Sequence, residues 1–204
     1  MGSTLTVDNI VGATTAANVN IPNHVVQTVT SVDITGLALA NANTAKFMDV
    51  ALTTKVANST FNVRFYTALF KEDTGTGNKD TDVCLGLGFK TGSASASSGD
   101  YTAISTYAPS RENITFSGSV GRAFYSSDAF YAGGSFSGRY HPIDTIYNEE
   151  SFSPNLAAGT TIRIAVFAKQ DYGNSFTIKL GAATSGMSDS GMTSCMNITE
   201  VAPS

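Results

Sequence analysis

The chain of 204 residues has no tryptophan, two cysteines and two histidines, and Asp, Glu, Lys and Arg together supply 14% of it, where an ordinary soluble domain has roughly a quarter. Each shortage excludes something. Cys84 and Cys195 are far apart and belong to no metal-ligand pair, so two buried thiols packed as small hydrophobes are expected rather than a disulfide. His24 and His141 are the only imidazoles available as acid or base. They fall in unrelated contexts, His141 within a turn-like Arg139-Tyr-His-Pro142. No segment approaches the roughly 20 consecutive apolar residues of a membrane span. The N-terminus has neither the basic region nor the apolar stretch of a secretory signal, so a chain kept in a cytosol, or released by lysis, is expected. The formal net charge is −4 with a pI near 5.0. Locally basic residues are limited to Arg111 with Arg122 and the spread pair Lys46 and Lys55. Phosphate binding needs clustered cations, so nucleic acid is excluded as a partner.

Motifs that carry chemistry fail on inspection. Gly133-Gly-Ser135-Phe-Ser137 and Gly186-Met-Ser188-Asp-Ser190 lack the final glycine of a nucleophile elbow. Gly86, Gly88 and Gly92 have the wrong spacing for a dinucleotide fingerprint. They read instead as glycines in a closely packed strand. Glu149-Glu150 are adjacent acids of the kind that face water in a loop, not a converging pair for glycoside cleavage. Asp73, Asn78, Asp80 and Asp82 crowd oxygen ligands into one stretch, but their spacing fits no calcium loop and Lys79 interrupts them. No enzyme activity, no metal and no cofactor are expected.

What is present is period-two alternation, the mark of antiparallel strands with one wet face. Met48, Val50, Leu52 and Val56 alternate with Asp49, Thr53 and Lys55, and Phe61, Val63, Phe65 and Leu69 share a face opposite Asn62 and Arg64. The short Ala57-Asn-Ser-Thr60 link between these runs reads as a hairpin. Ile162, Ile164 and Val166 repeat the pattern. A turn at Asp171–Asn174 leads to a returning strand with Phe176, Ile178 and Leu180, and a last strand runs from Thr193 to Val201. Residues 91–99, all small, predict a mobile loop tolerant of insertion. No second core is evident. The chain divides into an extended N-terminal arm, residues 1–24, and one antiparallel β-sandwich of jelly-roll type, residues 25–204.

Two features point to contacts with other molecules. Leu5, Val7, Ile10 and Val11 in the arm are too sparse to bury a core in one chain, which suggests attachment to something else. Further on, Phe and Tyr alternate among Gly and Ser. The Phe side chains are expected in the core. Tyr125, Tyr131, Tyr140 and Tyr147 are candidates for a recognition surface, because Tyr presents an amphipathic body at low entropic cost.

The opening Thr4-Leu-Thr-Val-Asp-Asn-Ile10 with Ala16-Ala-Asn-Val19 resembles the start of tail-fibre and other virion-surface proteins of marine bacteriophages. The likeness covers residues 3–27, with a looser match over 32–56 and at Cys195–Pro203. The resemblance implies a structural protein of the virion: a fibre or fibre-like appendage, homotrimeric, docked to other virion proteins through its arm and able to meet a host-surface glycan or protein. A capsid decoration protein is the alternative within the virion. A free carbohydrate-binding module is the alternative outside it, although such a module needs no arm and would ordinarily carry Trp.

Overall fold

The computed structural model describes residues 22–33, 36–39, 44–73, 82–104, 114–116, 119–121, 123–127, 139–171, 176–181 and 193–204. Apart from one 3-10 turn at Ser98–Asp100, their regular structure is all strand: β1 (Val25–Asp33), β2 (Leu37–Leu39), β3 (Thr44–Thr53), β4 (Thr60–Asp73), β5 (Asp82–Thr91), β6 (Thr102–Ala103), β7 (Ile114–Phe116), β8 (Ser119–Gly121), β9 (Ala123–Ser127), β10 (Arg139–Phe152), β11 (Thr161–Asp171), β12 (Phe176–Leu180) and β13 (Ser194–Val201). One sheet runs β1-β13-β4, with β10 on the far side of β4 and β12 and β2 continuing beside its distal half. The other runs β3-β11-β5, with β6 and β9 sharing the far edge of β5. β7 and β8 form a separate pair. The protein is an all-β, antiparallel sandwich, as the alternation predicts.

The core lies between the two sheets. Phe61, Val63, Phe65 and Leu69 of β4, with Met196 and Ile198 of β13, face Val50 and Leu52 of β3, Ile162, Ile164 and Val166 of β11, and Val83, Leu85 and Leu87 of β5. Phe47 meets Phe65 edge-on, with ring centroids 6.0 Å apart. The period-two reading of β3, β4 and β11 therefore holds residue by residue, except that Val56 lies beyond the end of β3 and is half-buried, and the expected last strand is β13.

Connectivity departs from the expectation. β3 and β4 belong to different sheets, so residues 54–59 are not a hairpin but an arch across the sandwich. Ladder hydrogen bonds are replaced there by a buried carboxylate. Glu200 of β13 is fully buried and accepts from the amides of Lys55 (2.9 Å) and Val56 (3.0 Å) and from the Ser59 hydroxyl (2.8 Å). The Gln27 amide donates to it as well, at 2.5 Å. β11 and β12 likewise lie in different sheets, so the Phe176–Leu180 strand crosses over rather than returning beside its predecessor.

A second core exists, contrary to the sequence reading. Outward-facing Cys84 of β5 and Ala165 and Phe167 of β11 are covered by Tyr101 and Ile114, all five essentially inaccessible to solvent. Tyr101 and Phe167 pack edge-on at 5.0 Å. Small residues make room: Gly86 and Gly88, also outward on β5, are buried. No periodic signal marks this cluster, because its members come from four separated stretches with no shared period.

The loop over residues 91–99 is pinned rather than loose. Asp49 accepts from the Ser95 hydroxyl at 2.7 Å, Arg163 donates to the Ser93 carbonyl, and Lys46 donates to Ser95 and to the Ala96 carbonyl. Lack of bulky apolar residues predicts mobility only where polar anchors are missing too.

At the N-terminal boundary, the Asn23 amide donates to the Ala202 carbonyl at 3.2 Å and the Ala202 amide to the His24 carbonyl at 3.0 Å. Asn23 and His24 thus belong to the sandwich. Residues 1–21 of the proposed arm, with Leu5, Val7, Ile10 and Val11, lie outside the described residues, as do Asn78 and Asp80.

Candidate recognition surface

Alternation fixes which side chains leave the core. On β13, Ser194, Met196, Ile198 and Glu200 are buried, so Cys195, Asn197 and Thr199 point outward. On β4 the buried Phe61, Val63 and Phe65 leave Asn62, Arg64 and Tyr66 outside. Antiparallel register then aligns these residues into rows across four strands. Val32 pairs with Cys195, Cys195 with Tyr66, and Tyr66 with Tyr147. The next row is polar: Thr30, Asn197, Arg64 and Glu149. Directly opposed side chains have Cβ atoms about 4.5–5.5 Å apart, so each row forms a continuous surface strip.

Val32, 57% exposed, and Tyr147, 62% exposed, stand at the two ends of the first row. Beside them Arg64 Nε donates to Glu149 Oε1 at 3.0 Å and Tyr147 Oη to Glu149 Oε2 at 2.9 Å. The Glu149 carboxyl is held below its usual range by the Tyr147 and Arg64 hydrogen bonds. The Tyr147 phenol is pushed up chiefly because it donates to that carboxylate. The network fixes the Tyr147 ring at the surface with its hydroxyl already satisfied.

Of the four tyrosines proposed for recognition, Tyr147 stands on this face. Tyr125 lies on β9 opposite Leu85, and Tyr140 on β10 opposite Glu72, and the positions of their side chains are not described. Tyr131 lies outside the described residues. Tyr66 and Val32 were not anticipated. Their outward direction follows from the alternation, but the row that joins them depends on cross-strand register, which no single strand encodes. The thiols also differ from expectation. Cys84 is buried on the outer side of one sheet, while Cys195 is half-buried on the outer side of the other. They form no disulfide and face away from each other.

The acidic pair is separated rather than convergent. Glu149 and Glu150 occupy successive positions of β10, not a loop, so they project to opposite faces. Glu150, whose carboxyl is pushed up by burial, points inward. His141 is likewise within β10, opposite Lys71, with a register shift just after it between Pro142 and Asp144; proline interrupts the ladder there instead of making a turn. Among the described residues, no group of three or more His, Cys, Asp or Glu is placed to hold a metal ion.

No protein-family model matches the chain, and no curated protein matches it. Among solved structures it is similar to one described as the structure of infectious bursal disease virus, Gx strain, at 15% identity over 87% of this chain, with a TM-score of 0.19. The chain spans 40% of the length of that one. A likeness of this size carries no argument about fold or function.

Proposed function

We propose that the chain is a structural protein of a bacteriophage virion, a fibre or fibre-like appendage whose sandwich is a jelly roll and whose N-terminal arm attaches it to the particle. The observation that carries the reading is the strand order. The eight principal strands lie as β1-β13-β4-β10 over β3-β11-β5-β9. Numbered one to eight along the chain, that is 1-8-3-6 over 2-7-4-5, the order produced when two Greek keys roll into a double sheet, an architecture used by capsid and lectin domains. The resemblance of residues 3–27 to virion-surface proteins supports the virion over a free lectin.

In this reading the sandwich supplies spacing or recognition, with Tyr147 on an exposed face, and no chemistry is assigned to it. Leu5, Val7, Ile10 and Val11 carry attachment. Burying each yields on the order of 1.5–3 kcal/mol, little for one chain but repeated on every copy of a homotrimer. Sedimentation equilibrium at micromolar concentration tests the assembly. Three chains of 21.2 kDa should give a particle of about 64 kDa, held together by symmetric contacts. A monomer would remove the support for a trimeric fibre.

A further inference from the structure

We propose that a second copy of this chain covers the outer face of the β1-β13-β4-β10 sheet, along the row Val32, Cys195, Tyr66 and Tyr147. The proposal rests on the homo-oligomeric reading above and specifies which surface closes the assembly.

The two outer faces of the sandwich are treated differently. The chain itself covers the β3-β11-β5 face, where Tyr101 and Ile114 bury Cys84, Ala165 and Phe167. On the opposite sheet, Val32 and Tyr147 remain more than half exposed. Large apolar side chains aligned across several strands mark an interaction surface when, as here among the described residues, the chain does not cover them.

Three properties identify the occupant as another copy. The first is charge. The described outward positions of this face carry one cation and one anion, Arg64 and Glu149, and these neutralise each other at 3.0 Å. The whole chain carries −4, so two copies repel on average, and a charge-balanced face is where they approach at least cost. The second is area. Four strands about 4.8 Å apart and some nine residues long at about 3.3 Å each give roughly 600 Å² of flat sheet. Side-chain relief brings this near the ~800 Å² per partner of a stable interface. The third is composition and shape. Among the described outward positions Tyr and Arg occur without Lys, as in protein–protein interfaces, whereas an open sheet face lacks the concavity that encloses a small ligand.

Cys195 sits in the middle of the row and reports directly on coverage. The test is alkylation of the native full-length chain, located by peptide mass mapping, alongside sedimentation. Cys84, fully buried, is the internal control for unfolding. The expected result is an oligomer in which Cys195 is protected. Tyr147→Glu and, separately, Val32→Glu should lower the mass and speed alkylation of Cys195 by about tenfold or more at concentrations well above the dissociation constant. Cys84 should stay unreactive in both variants. An oligomer whose Cys195 reacts freely, or whose mass neither substitution changes, overturns this face while leaving homo-oligomerisation standing. A monomer with a reactive Cys195 overturns both. A monomer whose Cys195 becomes reactive only after deletion of residues 2–21 shows that the chain's own N-terminal segment is the cover, and also overturns the proposal.

Discussion

Lys46 and Asp49 are three residues apart in one β-strand and yet form an ion pair at 2.9 Å. In a regular strand such residues project to opposite faces. The register supplies the reason: Val166 pairs with Met48 but Phe167 with Lys46, so Phe47 is an extra residue in β3. A bulge of this kind shifts the alternation by one. Phe47 and Met48 can both enter the core, at 8% and 4% exposure, while Lys46 and Asp49 share the outer face. Asp49 also accepts from Arg163 Nε at 2.8 Å, so one carboxylate gathers two cations and Ser95. The bulge thereby organises both the core and the loop over residues 91–99.

Replacing Asp49 with Asn should release that loop. Burial pushes the Asp49 carboxyl up, but hydrogen bonds from Arg163, Ser95 and Lys46 outweigh it and hold the group below its ordinary value of 3.8. A depressed folded value stabilises the protein above the unfolded value, and this contribution is lost as pH falls through the folded one. The expected outcome is that Asp49→Asn costs about 1–3 kcal/mol at neutral pH and speeds hydrogen exchange at residues 92–100. The variant should also lose less stability than the parent below about pH 4, the carboxylate range. Urea titrations of both proteins at pH 7 and pH 3, with exchange mass spectrometry, check it. Unchanged exchange in the loop would show that Asp49 is not its anchor.

Glu200 is the second polar device of the fold. With its carboxylate removed, the Lys55 and Val56 amides and the Ser59 hydroxyl lose their buried acceptor. An unsatisfied buried group costs about 1–3 kcal/mol. Glu200→Ala should therefore destabilise by about 3 kcal/mol, measured as a fall in urea midpoint at constant slope. Glu200→Gln, which keeps one oxygen for the amides, should cost less. A neutral Glu200→Ala would mean the 54–59 arch is held by its other contacts, such as Asn58 N to Leu156 O at 2.8 Å.

The strands were legible because burial on one side stamps a period of two on sequences such as Phe61-Asn-Val-Arg-Phe65. Their partners were not. β3 arches to the other sheet instead of turning back on itself, and the arch amides bind a carboxylate, Glu200, that lies 144 and 145 residues away. Tyr147 could be proposed as a surface residue because Tyr tolerates both water and packing. The strip it completes with Tyr66, Cys195 and Val32 required the register of four strands. The outer cluster was hidden for another reason: Tyr101 lies between a 3-10 turn and the two-residue β6, and Ile114 in the three-residue β7, too brief for any periodic signal.

Tyr101 offers a sharper test of that cluster. Its ring is fully buried, and its hydroxyl lies near Arg163 and the Ala96 backbone amide without completing a hydrogen bond to either. Burial, and then the Asp49 charge, push the phenol up. A buried hydroxyl without a partner is a net cost, so Tyr101→Phe should be neutral or stabilise by up to about 1 kcal/mol. Phe167→Ala should instead cost about 3–5 kcal/mol, the usual penalty for emptying a buried aromatic site. Thermal and urea unfolding of the two variants decide this. A clear loss of stability in Tyr101→Phe would show that the hydroxyl is satisfied in solution.

The sandwich should fold without the N-terminal segment. Its core is assembled from β3, β4, β5, β11 and β13, and the chain is tied down at Asn23 and His24 by reciprocal bonds with Ala202. Those bonds close the β1-β13 ladder at its open end, so the cut belongs before Pro22 rather than after His24. Deleting residues 2–21 should leave a cooperative urea transition with nearly unchanged slope, because the surface exposed on unfolding the sandwich is the same. Deleting residues 2–24 removes the Asn23 and His24 bonds as well and should cost about 1–2 kcal/mol more, at the usual net worth of a hydrogen bond. If attachment resides in Leu5, Val7, Ile10 and Val11, the shorter deletion should abolish incorporation into particles although the protein stays folded. Normal copy number on particles assembled with the truncated chain would instead place attachment in the sandwich.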